Sequence, residues 1–264
     1  MAPLVRLEKV KGLVSGIVFG PVNSRRYGRS LGINPLPPDR KLCMFDCPYC
    51  ECGSTSRAES GRLDRQPFPP AAGVIAAVRR ALEFLAESNE TIDSLTLTGN
   101  GETTLHPDFE KIIGGVVELR DRHVPKAQTV VLTNGTRLNV RAVRRALERV
   151  DRCAVKLDAG RESTFQRINR PLGPVTLEEI TAAAAHLPRV IVQTFFVRGV
   201  VDNTSDAEIE KWIERVVRTH PLSVQIYSLD RKPAEAGLVA VPRRDLERIA
   251  ARLVGRTRLS VEVF

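Results

Sequence analysis

From about residue 93 onward, short apolar runs rich in β-branched residues alternate with stretches whose apolar positions recur at helical spacing. The runs SLTLTG, TVVLTNG, CAVKLDAG, VIVQTFFVRG and SVQIYSLD have the pattern of strands buried on both faces of a parallel sheet. Between them, LNVRAVRRALERV sets Leu138, Ala142, Ala146 and Val150 on one helical face, and DAEIEKWIERVVR does so with Ile209, Ile213 and Val216. Upstream, AAGVIAAVRRALEFLAE aligns Val74, Val78, Leu82 and Leu85; downstream, DLERIAARLV aligns Leu246, Ile249 and Leu253. A first strand around SLGIN, residues 30 to 34, completes six β-then-α units. That succession predicts an α/β fold, a parallel sheet covered by helices and curved into a partial or closed barrel. The 264 residues suit a single domain over 1–264 with its core at about 17–255.

Parallel α/β sheets and barrels place their active sites at the carboxyl ends of the strands. Polar, Gly-rich and ionisable residues recur at that end of every predicted unit. The first strand leads into a cysteine-bearing loop, the second into TGNGETTLHP and the third into TNGT. DAG, VRGVVDN and SLDRKPAE follow the fourth, fifth and sixth. One shared site accounts for this recurrence. The cluster loop 36–70 is the one long irregular stretch, and loops of that length in compact domains are usually functional or disordered.

That loop contains KLCMFDCPYCECG, four of the chain's five cysteines within ten positions, Cys43 to Cys52. The N-terminal MAPLVRLEKVKG breaks its apolar residues with charge, and no membrane-spanning run follows, so a soluble, cytoplasmic protein with no membrane partner is expected. Reducing cytosol disfavours disulfides and turns a tight cysteine cluster towards metal or redox chemistry. Cys43, Cys47 and Cys50 have the spacing C-x3-C-x2-C, which brings three thiolates around one face of a compact metal centre. Three thiolates leave one iron of a four-iron four-sulfur cluster open to another molecule, whereas four, with Cys52, would close a structural zinc site. Zinc ligands normally come from two separated pairs, and the crowding of Cys50 against Cys52 favours iron without excluding zinc by count.

With Tyr49 in the aromatic place, the loop resembles the C-x3-C-x-aromatic-C signature of the radical SAM superfamily. Asn100-Gly101-Glu102, within LTGNGETTLHPDF, resembles that superfamily's G-G-E motif after the second strand. The stretches FGPVNSRRYGRSLGIN, VKLDAGRESTFQRINRP, FFVRGVVDN and VQIYSLDRKPAEAGL resemble a compact bacterial branch of Fe-S oxidoreductases related to the wyosine tRNA-modifying enzymes. This resemblance runs over most of residues 17 to 245. It implies a partial (β/α)6 TIM-like barrel, a 4Fe-4S cluster held by Cys43, Cys47 and Cys50, and S-adenosyl-L-methionine on the remaining iron. It also implies an oxidoreductase that reductively cleaves this cofactor to a 5′-deoxyadenosyl radical for hydrogen abstraction, with a nucleotide or RNA as candidate substrate. By the same resemblance Glu102 would receive the methionyl ammonium, with the backbone of Gly99, Asn100 and Gly101 close by and Tyr49 beside the cofactor. Asn134, Lys156 and Asp158 would contact the ribose and carboxylate of the cofactor or the substrate.

Each of these residues also has a plainer explanation: a Gly-rich turn with a solvated glutamate, an Asn-Gly turn, a buried Lys-Asp pair. Alternation along VKLD puts Lys156 and Asp158 on one face, opposite Val155 and Leu157. Thr103 follows Glu102 where relatives usually carry proline. Arg198, Asn203, Tyr227 and Asp230, at later strand ends, are further candidates to frame the adenine or the substrate. His106 either nears the site or starts the next helix, and His123, His186 and His220 suit helix ends. Cys153 reads as a buried thiol, and with Cys52 it leaves too few cysteines for an auxiliary cluster. No flavin-binding domain is recognisable, so electrons would come from a flavodoxin, ferredoxin or reductase.

The net charge of +9 is compatible with polyanionic partners, and Arg25, Arg26 and Arg29 around Tyr27 suggest a phosphate-bearing substrate. Arginine outnumbers lysine 32 to 8, and an arginine-rich codon bias would produce the same excess. Two alternatives stand beside the enzyme reading: a zinc-binding nucleic-acid interaction module, and, among enzymes, a glycyl-radical activating enzyme.

Overall fold

The structure is a computed structural model that describes residues 9, 10, 12–57, 67–231 and 233–264. Most of the N-terminal stretch MAPLVRLEKVKG, positions 58–66 of the cluster loop, and Lys232 lie outside the described residues. The chain packs as two compact units of discontinuous segments. Met1–Cys43, Thr55–Thr133 and Asn139–Cys153 form the first; Met44–Ser54, Asn134–Leu138 and Ala154–Phe264 form the second. Among the described residues no helix is long and apolar enough to cross a membrane.

In the first unit, β1 (Lys9–Val10) and β2 (Leu13–Val14) form a small antiparallel pair. The main strands β3 (Val18–Ser24), β4 (Gly28–Ile33), β5 (Ser94–Leu97) and β6 (Gln128–Thr133) lie in the order β6-β5-β4-β3. The pairs β4–β5 and β5–β6 are parallel, while β3 and β4 form an antiparallel hairpin. Leu31, Ile33, Leu95, Leu97, Val130 and Val131 are fully buried, which is what the continuous apolar runs predict for strands covered on both faces. Helix α1 (Ala71–Glu87) connects β4 to β5, α2 (Phe109–His123) connects β5 to β6, and α3 (Arg141–Leu147) follows β6. In α1 the predicted Val74, Val78, Leu82 and Leu85 are all buried. Of the face predicted around α3, Leu138, Ala146 and Val150 are buried and Ala142 is half-buried, and the helix also buries Val143 and Leu147.

Strand β7 (Arg152–Lys156) starts in the first unit and ends in the second. The second unit continues with β8 (Val190–Phe195), β9 (Val197–Gly199), β10 (Ser223–Tyr227), β11 (Leu238–Ala240) and β12 (Ser260–Val263). Its sheet order is β12-β10-β8-β7, with β8–β10 and β10–β12 parallel and β9–β11 a separate antiparallel ribbon. The run VIVQTFFVRG, expected as one strand, divides at Phe196, whose N–H donates to the Tyr227 carbonyl at 2.9 Å. Asn203 holds the break: its Oδ1 accepts from Val197 N–H at 2.8 Å, and its Nδ2 donates to the Phe195 and Asp158 carbonyls at 2.7 and 2.8 Å.

Helices α4 (Glu162–Ile168), α5 (Leu177–Ala184), α6 (Asp206–Arg218) and α7 (Arg243–Arg256) complete this unit. A capping box between Thr176 and Glu179 starts α5. On α6, Ile209, Trp212, Ile213 and Val216 are buried, and the indole N–H of Trp212 donates to Thr194 Oγ1 at 2.9 Å and the Leu157 carbonyl at 3.2 Å. The partner for the indole nitrogen is what allows so large an amphipathic ring to be fully enclosed. Surface arginines pair densely with acids; Arg218 and Arg215 hold Glu178 down to about 2.

Candidate functional site

In the first unit the chain entering the cysteine loop is stitched to the turn after β5. Leu42 N–H donates to the Asn100 carbonyl at 2.9 Å, and Glu102 N–H donates to the Leu42 carbonyl at 2.8 Å, so Cys43 lies one residue from the GNGE turn's partner. Two glycines make the approach possible. Gly101 has φ +127, and a Cβ there would strike the Leu42 carbonyl; a Cβ on Gly99 would strike the Asn34 side chain. Asn34 and Asn100, both with no exposed surface, brace the turn from below. Asn34 Oδ1 accepts from Asn100 N–H at 3.2 Å, and Asn100 Nδ2 donates to the Val14 and Pro37 carbonyls at 2.9 Å. Replacing Gly101 with Ala is therefore expected to cost about 1–3 kcal/mol in urea unfolding, as forced strain of this type does. Gly73→Ala, on α1 with open space around the position, should be neutral or stabilising in the same assay.

Glu102 is buried, 2% exposed, and its Oε1 accepts from Thr104 N–H at 3.1 Å, Thr104 Oγ1 at 2.5 Å and Thr133 Oγ1 at 2.8 Å. It caps a short 3-10 turn, Thr103–Leu105, so the solvated glutamate of the plainer explanation is not what the fold builds. Burial, with the Glu102 carboxylate as a second cause, pushes the Cys153 thiol up to about 12. His106 neither starts a helix nor faces solvent. Its Nε2 is 2.8 Å from the Pro69 carbonyl, its Nδ1 accepts from Asp108 N–H, and burial lowers its pKa.

In the second unit, Asp158 is the hub. Its Oδ2 accepts from the Tyr49 hydroxyl and, at 2.8 Å, from Asn169 Nδ2; its Oδ1 accepts from Phe195 N–H at 2.8 Å and lies 3.1 Å from Lys156 Nζ. Lys156 Nζ also donates to the Tyr227 hydroxyl at 2.8 Å. Three rings surround the ammonium, their centroids 5.1 Å (Tyr49), 5.5 Å (Phe195) and 4.7 Å (Tyr227) away. Tyr49 stacks on Phe195 at 4.1 Å, and Phe195 meets Tyr227 edge-on at 5.5 Å. Burial works against the ammonium, but Asp158 and then Tyr227 outweigh it and raise the pKa of Lys156. Burial, followed by the charge of Asp158, raises that of Tyr49 far above its ordinary value. The alternation read along VKLD places Lys156 and Asp158 together, as found.

Cys47 belongs to the same network: its Sγ lies 3.6 Å from the Asn169 carbonyl, as donor, and 3.5 Å from Asn169 Nδ2, as acceptor. Burial, then the neighbouring Cys50 and Asp158, lifts its thiol to about 11. None of the five cysteines is in a disulfide. Asn134 Oδ1 accepts from Thr136 N–H at 3.0 Å and Thr136 Oγ1 at 2.8 Å, closing the predicted turn after β6. Arg198 pairs with Asp245 at 2.8 Å and Thr204 at 3.1 Å, away from the Asp158 hub, and Asn203 is a backbone brace. Glu208, on α6, fixes the DAG turn by accepting from Gly160 N–H at 2.5 Å and Thr164 Oγ1 at 2.9 Å. Sequence reading missed Phe195, Asn169 and Glu208; only RINRP, quoted for its resemblance, pointed towards Asn169.

In each unit strands of the sheet carry polar groups at or just beyond their carboxyl ends, the buried Glu102 in the first and Lys156 with the buried Asp158 in the second, the pattern of an α/β fold. The family model described as "Radical SAM superfamily" matches residues 41–216. A UPF0026 protein of Synechocystis sp. is 35% identical over 210 residues, 79% of this chain and 74% of that one. Among solved structures, a radical SAM methyltransferase from Sphaerobacter thermophilus has a TM-score of 0.63 at 19% identity, covering 89% of this chain and 65% of that one. The structure of TYW1 with a lysine-pyruvate adduct bound has a TM-score of 0.58 at 16% identity, covering 87% and 74%. The chain belongs to the radical SAM superfamily. It is an enzyme with the α/β fold of that superfamily, the partial (β/α)6 TIM-like type expected from the sequence, and family membership sets aside the zinc-binding module.

Proposed function

We propose that this enzyme, acting as one radical SAM domain over 1–264, holds a 4Fe-4S cluster on Cys43, Cys47 and Cys50 and binds S-adenosyl-L-methionine beside it. The observation that carries the reading is the C-x3-C-x2-C loop entered one residue from the stitch between Leu42 and the GNGE turn, in a chain matched by the superfamily model. The donor set fits the group: three thiols free of disulfides on one short loop, with an amide N–H within reach of the Cys47 sulfur. When bound, the cluster supplies the electron for reductive cleavage of the sulfonium, which yields the 5′-deoxyadenosyl radical that abstracts hydrogen from the substrate.

The chain's own residues bind and orient. Glu102 offers a buried carboxylate, already fixed by three donors, to the methionyl ammonium, with the Gly99, Asn100 and Gly101 backbone alongside. Tyr49, stacked on Phe195 and anchored by Asp158, presents a fixed aromatic wall to the cofactor. Lys156 keeps its positive charge for a carboxylate, and Asn134 stands at the next strand end for the ribose. The electron comes from an external flavodoxin, ferredoxin or reductase in the cytoplasm. A nucleotide or RNA is the substrate class we favour, from the compact branch's likeness to wyosine tRNA-modifying enzymes; the Arg25, Arg26 and Arg29 patch lies at the amino end of β4, where Arg29 pairs with Glu90, and lends this reading no support.

Titrating the anaerobically reconstituted enzyme with S-adenosyl-L-methionine by calorimetry tests the cofactor site. Glu102→Gln removes a charge-assisted hydrogen bond worth about 1.5–3 kcal/mol, so affinity should fall roughly 10- to 100-fold. Unchanged affinity would remove Glu102 from the site.

A further inference from the structure

Asn169 has a place in the fold that the function above does not use. It ends α4 as its C-cap, is 2% exposed, and its N–H donates to the Phe165 carbonyl at 2.9 Å. Its carbonyl accepts from Asp46 N–H at 3.1 Å, in the residue next to Cys47. Its side-chain amide is held on three sides: Nδ2 lies 2.8 Å from Asp158 Oδ2, 3.2 Å from the Tyr49 hydroxyl and 3.5 Å from Cys47 Sγ. An amide nitrogen has two hydrogens, and Asp158 takes one with the best geometry. The second is left to be shared between a phenol oxygen and a sulfur.

We propose that Asn169 is a positioning and tuning residue for the cluster, donating its second amide hydrogen to the Cys47 sulfur and raising the cluster's reduction potential. The inference rests on Cys47 being a cluster ligand. As a thiol, Cys47 points its S–H at the Asn169 carbonyl, 3.6 Å away. Ligation removes that proton and leaves a thiolate, to which a neutral phenol oxygen is the weaker competitor for the N–H. Hydrogen bonds to cluster sulfurs and nearby charge set the potential of such centres, because they stabilise the more negative, reduced form. The Asn169 amide lies within hydrogen-bond distance of both the Asp158 carboxylate and the Cys47 sulfur, and so offsets a negative charge that would otherwise oppose the incoming electron. The balance is simple: an external low-potential donor gives up one electron, the cluster accepts it, and no proton leaves Asn169.

The test is a potentiometric titration followed by electron paramagnetic resonance on the anaerobic holoenzyme and on Asn169→Leu, which keeps the side-chain volume and removes the donor. At the potential that half-reduces the native cluster, the variant's ratio of reduced to oxidised cluster should fall about tenfold, a shift of about 59 mV for a one-electron couple. A native cluster with an unchanged midpoint in the variant overturns this inference alone, while a native protein with no iron-sulfur signal overturns the ligand assignment as well. Should the variant lose its cluster, native enzyme labelled with nitrogen-15 in its asparagine side chains decides the matter. A pulsed-resonance coupling between that nitrogen and the reduced cluster supports the bond; its absence rules the bond out.

Discussion

Replacing Cys43, Cys47 or Cys50 singly with Ala is expected to leave anaerobically purified protein colourless, with iron well below the about four atoms per chain of a 4Fe-4S centre, and to abolish 5′-deoxyadenosine formation. Cys52→Ala should keep both iron and turnover. The contrast follows from the number of ligands rather than from cysteine content. A cluster with three protein thiolates keeps one iron for the cofactor, and losing any of the three leaves two adjacent corners without a protein ligand. Cys52 lies two positions beyond Cys50, inside the turn closed by Gly53 N–H donating to the Cys50 carbonyl at 3.1 Å. Iron analysis and the absorption spectrum read the outcome directly. Retained colour in Cys43→Ala, or bleaching in Cys52→Ala, would redraw the ligand set.

Asp158→Ala is expected to destabilise the cluster-free protein by about 3–5 kcal/mol in urea unfolding, the cost of breaking a buried ion pair from one side. The substitution strips acceptors from Tyr49, Asn169 and Phe195 N–H together, and leaves the Lys156 ammonium among three rings with only the Tyr227 hydroxyl. Attraction to the ring faces, worth about 2 kcal/mol when desolvated, does not replace a carboxylate 3.1 Å away. Removing the charge as well should recover part of the loss, so Lys156→Met in the Asp158→Ala background is expected to be more stable than Asp158→Ala alone. The sign with pH follows from the raised pKa of Lys156. Its stabilising contribution is complete below the ordinary lysine value of 10.5 and disappears as pH rises through the higher folded value. A loss under 1 kcal/mol would mean that Asp158 is not the hub its hydrogen bonds describe.

Most of the β/α succession was legible because buried parallel strands read as short runs of aliphatic and β-branched residues without charge: SLTL, TVVLT and VIVQTF are such runs, and Val74 to Leu85 mark their helix by spacing alone. Elements without that mark were not legible. Strand β3 contains Gly20 and Pro21, which argue against a strand locally, and it exists by pairing with β4 as an antiparallel edge. Strand β12 alternates as SVEV, its Glu262 accepting from Gln225, and among the described residues it pairs on one side, with β10. Helix α5 is eight residues long, too short for periodicity to stand out from the flanking alanines. The same division holds in the site. Cys43, Cys47, Cys50 and the GNGE turn are local in sequence and carry their chemistry in their spacing. The Lys156 cage is not local: Tyr49, Phe195 and Tyr227 come from the cysteine loop and from the ends of two strands, and Asn169 reaches Cys47 across 122 positions. No spacing rule could have assembled them.

The central claim is that this chain reductively cleaves S-adenosyl-L-methionine at a cluster held by three thiolates. Its most direct test is to incubate the anaerobically reconstituted enzyme with that cofactor and dithionite and to measure 5′-deoxyadenosine and methionine by mass spectrometry. The account predicts that both form in equal amounts, in proportion to cluster content, and that neither forms without reductant. A fully reconstituted, reduced enzyme that leaves the cofactor intact would contradict it.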